Sequence, residues 1–379
     1  RAIVFAVLAT CGIFFVFFRL STAERDVLAC NLVLAALFVF LWHILLRVYL
    51  RLRVPPTNML ALGVSNLSVA AVKKIMEHPE LGIKVVGYVA DASEANDVSD
   101  VDVKIIGDYN NFPNVMMEHD VNHVIVGPSD SRKILPIKEL LDFRIKGVPI
   151  ESAESFYERI AGKIPVENLR PSWLVFNSGF DASKDVFLRK HILSILLSSI
   201  LLILTLPIFL LAAIAIKLDS KGPVFYKQKR VGRNGRVFKL VKFRSMRQNA
   251  EKESGPVWST PGKDSRVTRV GYILRRTRID ELPQVYNILR GDMDLVGPRP
   301  ERPVFVEQLS REIPYYALRH VVKPGITGWA QVNHRYASST EDTVEKLQYD
   351  LFYIKNMSLT LDLMVLFETV KTVLVRKGS

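Results

Sequence analysis

Cysteine is scarce in this chain: there are two among 379 residues, Cys11 and Cys30, both inside apolar runs. That excludes a disulfide framework and any cysteine-based metal spacing, and it fits a reducing compartment on the polar side. A full set of loop glycines is also missing. Where a dinucleotide-binding turn would follow the first strand, the chain reads Gly63-Val64-Ser65-Asn66-Leu67-Ser68, with Asp91 about one strand further on. The later glycines of such a turn let backbone approach a diphosphate and let the helix pack closely. Serines in their place argue for a structural or regulatory domain rather than a cofactor site. Negative charge is short as well. Lys and Arg number 51 against 38 Asp and Glu, a net charge of +13. Such a balance calls for an anionic partner: nucleic acid, a membrane surface or a phosphorylated substrate. No nucleic-acid-binding module is recognisable, and the basic density adjoins an apolar run, so nucleic acid is not an expected partner. Internal repeats and low-complexity tracts are absent from the sequence.

Apolar length is plentiful. Residues 2–18 and 27–46 are candidate membrane segments joined by a short link, and Arg47, Arg51 and Arg53 follow. About 20 apolar residues span a bilayer, and basic flanks favour the cytoplasmic side. Because the chain begins at Arg1 directly in an apolar run, residues 1–50 read as a truncated N-terminal transmembrane bundle. Residues 57–165 alternate strand and helix patterns, which points to a parallel α/β sheet of Rossmann-like type. A third run, 192–216, carries no charge. Both of its flanks are basic: Arg189 and Lys190 on one side, Lys217 and Lys221 on the other. Both ends therefore favour one face of the membrane. Pro207 removes a helical hydrogen bond past its middle. A re-entrant helix–break–helix satisfies these constraints better than a spanning helix.

From Gly222 to Arg302 basic residues outnumber acidic ones by more than two to one. The stretch Val231–Arg236 reads as a hairpin turn, and Val296-Gly297-Pro298-Arg299-Pro300 as a rigid loop. Between them lie two adjacent carboxylates, Asp280 and Glu281, preceded by Arg275, Arg276 and Arg278. Apolar spacing predicts a helix over about 281–290, stopped by Gly291, with Asp280 as N-cap. A capping role alone would account for the pair. Phosphate chemistry would account for it equally: a helix N-terminus attracts phosphate, arginines clamp it, one carboxylate can attack phosphorus, and the other can hold Mg²⁺. A final amphipathic helix, 358–375, contains Asp362 and is too charged to span.

The motifs KFRSM (242–246), RRTRIDELPQVYNILRGDMDLVGPRPE (275–301) and KPGITGWAQV (323–332) resemble the bacterial sugar transferase family. These are polyprenyl-phosphate sugar-1-phosphate transferases, and the long form resembles undecaprenyl-phosphate glucose phosphotransferases. The resemblance covers Lys184 to the C-terminus. It implies an α/β membrane protein with transmembrane helices over 1–50, a Rossmann-like (CoA-binding-like) domain over 57–165, and a small, mostly helical catalytic domain over 184–379. That last domain would be membrane-associated and carry the re-entrant helix 192–216, broken at Pro207. The resemblance implies transfer of sugar-1-phosphate, glucose or galactose in the first instance, from a UDP-sugar to undecaprenyl phosphate, with release of UMP. This step would initiate exopolysaccharide, capsule or O-antigen synthesis at the cytoplasmic face of the bacterial inner membrane. By the same resemblance Asp280 is the nucleophile that forms a covalent phosphosugar intermediate, and Glu281 binds the Mg²⁺ cofactor. Lys242, Arg275, Arg299 and Asp362 are implied substrate or phosphate binders. Trp329 and its neighbours are either a uridine contact or a structural turn. A homodimer, formed through the N-terminal parts, is an expected assembly.

Overall fold

The computed structural model describes residues 57–91, 94, 103–127, 135–166, 179–180, 183–248, 266–334 and 340–374, together with part of an apolar helix within 27–45. The expected transmembrane pair over 1–50 therefore lies largely outside the described residues. Of it, Val33–Trp42 is an apolar helix. Compactness divides the chain into two units. One comprises Arg1–Val64, Ile75–Ile125 and Asp130–Ile150; the other comprises Ser65–Lys74, Val126–Ser129 and Glu151–Ser379.

The α/β domain contains β1 (Thr57–Leu62), α1 (Asn66–Glu77), β2 (Ile83–Val89), β3 (Ile105–Gly107), α2 (Phe112–Glu118), β4 (His123–Val126), α3 (Ile137–Ile145) and β5 (Ile150–Ser152). The sheet order is β3-β2-β1-β4-β5, with β1 parallel to β2 and β2 parallel to β3. Met59 to Leu62 form an unbroken apolar run with no exposed surface. A strand buried on both faces has that signature, and it places β1 at the centre of the sheet. The Rossmann-like parallel sheet expected from the sequence is present.

The next helix, α4 (Ala153–Ala161), packs with the second unit rather than closing the first. Its Glu158 accepts from Lys355 at 2.6 Å, and Gly162 O accepts from Trp329 Nε1 at 2.7 Å. Ile164 and Val166 are buried in the second unit's core. Within the 57–165 stretch read from strand–helix alternation, α4 thus groups with the later elements, through polar and apolar partners nearly two hundred residues away.

The second unit begins with α5 (Lys184–Asp219), 36 residues long. Ser183 caps it by accepting from Val186 N, and Thr205 Oγ1 bonds back to Leu201 O at 2.7 Å. The chain is helical through Pro207, so one helix holds the residue that the sequence marks as a break. A hairpin follows, β6 (Phe225–Val231) and β7 (Val237–Phe243), antiparallel, turned at Arg233–Gly235 as expected. Then come α6 (Arg269–Arg276), a 3₁₀ turn Ile279–Gln284, α7 (Val285–Leu289), β8 (Asp294–Val296) and α8 (Pro303–Glu312). Next are β9 (Gly325–Thr327), α9 (Trp329–Asn333), α10 (Thr340–Lys355) and α11 (Leu359–Leu374). The core gathers Ile288, Met293, Val296, Leu309, Leu347, Leu351 and Val365 from these elements.

One expectation is corrected here. Asp280 is not the N-cap of an α-helix over 281–290. It lies inside the 3₁₀ turn, whose N-cap is Arg278 in the left-handed region (φ 60°, ψ 10°). Bonding there is of the tighter i→i+3 kind, Glu281 N donating to Arg278 O at 3.1 Å, and the α-helix starts at Val285. Gly291 does end the segment, at φ 88°.

Candidate active site

The carboxylate pair is brought to β7 by a splice. Asn287 on α7 is fully buried; its Oδ1 accepts from Val241 N at 3.0 Å and its Nδ2 donates to Lys239 O at 2.9 Å. The side-chain amide thus continues the hydrogen bonding of β7 into the helix. Lys242, next on the strand, then reaches Glu281: Nζ to Oε1 is 2.9 Å. From the opposite direction Arg299 donates through Nη2 to Oε1 at 2.7 Å and through Nη1 to Oε2 at 3.5 Å. Arg278 adds a longer contact at 4.0 Å.

Asp280 and Glu281 are both buried, and their surroundings differ. Burial alone would raise Glu281, but the charges and hydrogen bonds of Arg299 and Lys242 overcome it and hold the carboxyl well below its ordinary value. Among the described residues, Asp280 makes no side-chain hydrogen bond. Burial, and then the charge of Glu281, raise its pKa against the opposing charges of Lys242, Arg275 and Arg278. Burial also lowers the pKa of Lys242, against the pull of Glu281. The result is one firmly ionised carboxylate fixed in place, beside one carboxylate with unused oxygens and raised basicity. An oxygen held that way suits attack on an electrophile.

Lys242, Arg275, Asp280, Glu281 and Arg299 therefore meet, as the sequence suggests. Arg275 also donates to Ser245 Oγ at 2.9 Å. Arg230, Leu240, Gln284 and Pro300 complete a narrow cleft with Lys242 and Arg299. Asp362 is elsewhere. It is buried against Lys190 (3.0 Å) and Tyr353 Oη (2.6 Å), and Lys190 also donates to Val296 O at 2.5 Å. Both of its oxygens are bonded inside the protein, where it underpins β8, and the structure does not bring it to the carboxylate cluster. Pro207, inside α5, is likewise not part of the carboxylate cluster. Trp329 donates to Gly162 O and stacks on Phe352 with ring centroids 5.8 Å apart, so this stretch is a structural turn. The glycines of KPGITGW serve close packing: a Cβ at Gly325 would lie 2.1 Å from Gly297 N.

Three buried cations, Lys190, Arg244 and Arg319, and the half-buried Arg230 escape a reading of the sequence as structural anchors. Nothing marks them among 51 basic residues.

In the α/β domain, Ser65 and Ser68 satisfy each other. Ser65 N donates to Ser68 Oγ at 2.9 Å and Ser68 N to Ser65 Oγ at 3.0 Å. This capping box uses two amides that a diphosphate would need. The turn is therefore a poor fit for coenzyme A or a dinucleotide.

The profile of the family described as bacterial sugar transferase matches residues 185–376, and that of a CoA-binding domain matches residues 1–142. A UDP-N-acetylgalactosamine-undecaprenyl-phosphate N-acetylgalactosaminephosphotransferase from Aeromonas hydrophila is 44% identical over 232 residues, 61% of this chain and 54% of the relative. A UDP-glucose:undecaprenyl-phosphate glucose-1-phosphate transferase from Xanthomonas campestris pv. campestris is 39% identical over 249 residues, 65% and 48% of the two chains. One of the same description from Caulobacter vibrioides is 44% identical over 194 residues, 50% and 71%. The chain spans about half the length of the first two of these curated relatives.

Proposed function

This chain belongs to the bacterial sugar transferase family, and from that premise we propose that it transfers sugar-1-phosphate from a UDP-sugar to undecaprenyl phosphate and releases UMP. The observation that carries the reading is the division of labour between Asp280 and Glu281. In the first step an Asp280 oxygen forms a bond to the phosphorus bearing the sugar, and the bond to the UMP oxygen breaks. In the second, an oxygen of undecaprenyl phosphate bonds to that phosphorus and the carboxylate of Asp280 leaves. The product is a sugar joined to the lipid through a diphosphate. Two anionic substrates then never need to share the site, which lowers the charge it must neutralise. Lys242, Arg275 and Arg299 surround the carboxylates with cations suited to phosphate oxygens.

The donor set fits Mg²⁺. The ion binds through one or two carboxylates plus substrate phosphates, and Glu281 Oε2 has only a long 3.5 Å contact with Arg299. Glu281 would hold the ion, with Asp280 adjacent. Bound there, Mg²⁺ would neutralise charge developing on the phosphates.

The same reading seats the unit on the cytoplasmic face of the bacterial inner membrane. Ile203, Leu204, Leu206, Leu210 and Leu211 of α5 are exposed and apolar. On either side of them, Ser194 and Ser198 toward one end, and Ala212 and Ile216 toward the other, are buried within the same unit. A helix that dips into lipid and returns, bent at Pro207, accommodates both facts. Leu363, Met364, Phe367 and Val370 give α11 an exposed apolar face suited to lying in the interface. The product would start assembly of a cell-surface polysaccharide. Glucose or galactose is the proposed sugar, and N-acetylgalactosamine belongs in any test panel because one relative is named for it. The test incubates the chain, Mg²⁺ and undecaprenyl phosphate with several UDP-sugars and follows UMP; no UMP from any of them would sink the reading.

A further inference from the structure

Arg299 sits between two prolines, Pro298 and Pro300, in a loop that supplies one of the two cations on Glu281. Proline fixes φ but has no N–H, so such a loop can be tied down mainly through its carbonyls. Five successive anchors do this. Val296 O accepts from Lys190 at 2.5 Å and Pro298 O from Gly325 N at 3.0 Å. Arg299 O accepts from Arg319 Nη2 at 3.0 Å, Pro300 O from Arg230 Nη1 at 2.9 Å, and Glu301 O from Val231 N at 2.9 Å. Three of the five donors are cations. Among the described residues, only Arg319 holds the carbonyl of Arg299 itself.

Arg319 is fixed in turn. Its Nη2 and Nε donate to Asp350 Oδ2 at 2.7 and 3.1 Å, and its Nη1 donates to Tyr316 Oη at 2.8 Å. All three residues are buried. An ion pair with Asp350 would be complete without the fourth contact. That contact turns a structural pair into a brace for the residue that meets the phosphate. Lysine could keep the charge but could not span an acid, a phenol and a carbonyl with one ammonium.

We propose that Arg319 is a positioning residue of the phosphate site: by holding the carbonyl of Arg299 against Asp350 and Tyr316, it sets where the Arg299 guanidinium stands. The proposal rests on the functional reading above for its substrate. A displacement of about 1 Å at a reacting site costs on the order of a hundredfold in rate, and that is the loss assigned to Arg319→Lys.

The experiment is a double-mutant cycle on the full chain with Arg319→Lys, Arg299→Ala and the double variant. It has two readouts: kcat/KM for UMP release from the UDP-sugar panel, and binding of inorganic pyrophosphate by calorimetry. The expected result is that Arg319→Lys weakens both, while the double variant is no worse than Arg299→Ala alone. A merely structural role would multiply the two losses, and that outcome overturns the proposal. So would wild-type values for Arg319→Lys, or no pyrophosphate binding by the wild type. Should the wild type release no UMP from any donor, the functional reading falls, and the pyrophosphate cycle still decides the brace. Should Arg319→Lys not fold, Tyr316→Phe takes its place in the cycle. Unchanged pyrophosphate affinity in Tyr316→Phe overturns the proposal.

Discussion

Asp280 and Glu281 are sequence neighbours with the same functional group, and the fold drives their acidities apart. Glu281 is gripped by Lys242 at 2.9 Å and Arg299 at 2.7 Å, while Asp280 has no hydrogen-bonding partner among the described residues. Asp280→Asn should therefore abolish UMP release, by about three orders of magnitude or more. It should also raise thermal stability at neutral pH. The sign follows from the raised pKa of the folded state: at neutral pH folding must hold an ionised carboxylate that its surroundings disfavour, and the amide removes that cost. A melting curve and a UMP assay on the same preparation check both. A lower melting temperature would tell against the raised pKa.

Glu281→Gln is expected to behave oppositely in stability. The folded-state pKa of Glu281 lies below the unfolded value, so its contribution is fully present above about pH 4.5 and is lost as pH falls through the depressed value. Removing its charge leaves Lys242 and Arg299 facing each other without a shared anion. Breaking a buried pair costs roughly 3 kcal/mol, less here because both cations keep some contact with water. Denaturant unfolding at pH 7 should show a clear loss, and the difference between variant and wild type should shrink toward pH 3. A constant difference across that range would refute the ion-pair account.

The pH dependence of turnover follows from the same pair. If Asp280 attacks as the carboxylate, activity should fall on the acid side through a value above the 3.8 of an ordinary aspartate, because burial and the charge of Glu281 raise it. Neutralising Glu281 removes one of the two causes, so the residual activity of Glu281→Gln should show its acid limb at lower pH. A kcat/KM profile of wild type and variant is the measurement, and an unmoved limb would separate the two carboxylates.

Much of this was legible in the sequence because the relevant signals are local. Alternating strand and helix patterns mark the α/β domain, and three long motifs contain Lys242, Arg275, Asp280, Glu281 and Arg299. What was not legible depends on distant contacts. Asn287 looks like an ordinary helix residue until its amide is seen bonded to β7. Glu158, inside the 57–165 stretch, pairs with Lys355, 197 positions away, a contact that no local pattern announces. The 3₁₀ turn is not legible because apolar spacing over 281–290 does not separate a 3₁₀ start from an α-helical one. Asp362 is a position that the family resemblance marks, and its bonds to Lys190 and Tyr353 are visible only in the fold.

Whether Asp362 serves the interior or the substrate can be tested. Asp362→Asn leaves Lys190 buried without its anion, a loss of about 3 kcal/mol or more for a pair this buried. The melting temperature should drop, while KM for the UDP-sugar stays near the wild-type value in protein that remains folded. A raised KM with unchanged stability would return Asp362 to the substrate site.

The final prediction concerns α5. Pro207 deprives Ile203 of its i+4 donor in a segment whose exposed side chains are apolar, and a backbone group left unpaired in lipid is costly. In the proposed re-entrant arrangement, a bend there would let Lys184 and Lys221 face the same side of the membrane. With Cys11 and Cys30 replaced by serine, single cysteines at 184 and at 221 should both react with an impermeant maleimide in inside-out vesicles. Neither should react in right-side-out vesicles. Pro207→Ala restores the missing donor and stabilises the helix by up to about 3 kcal/mol. It should straighten part of the population and move one of the two cysteines to the opposite side, with a matching loss of UMP release. Opposite-side labelling in the wild type would establish a spanning helix and remove the bent arrangement altogether.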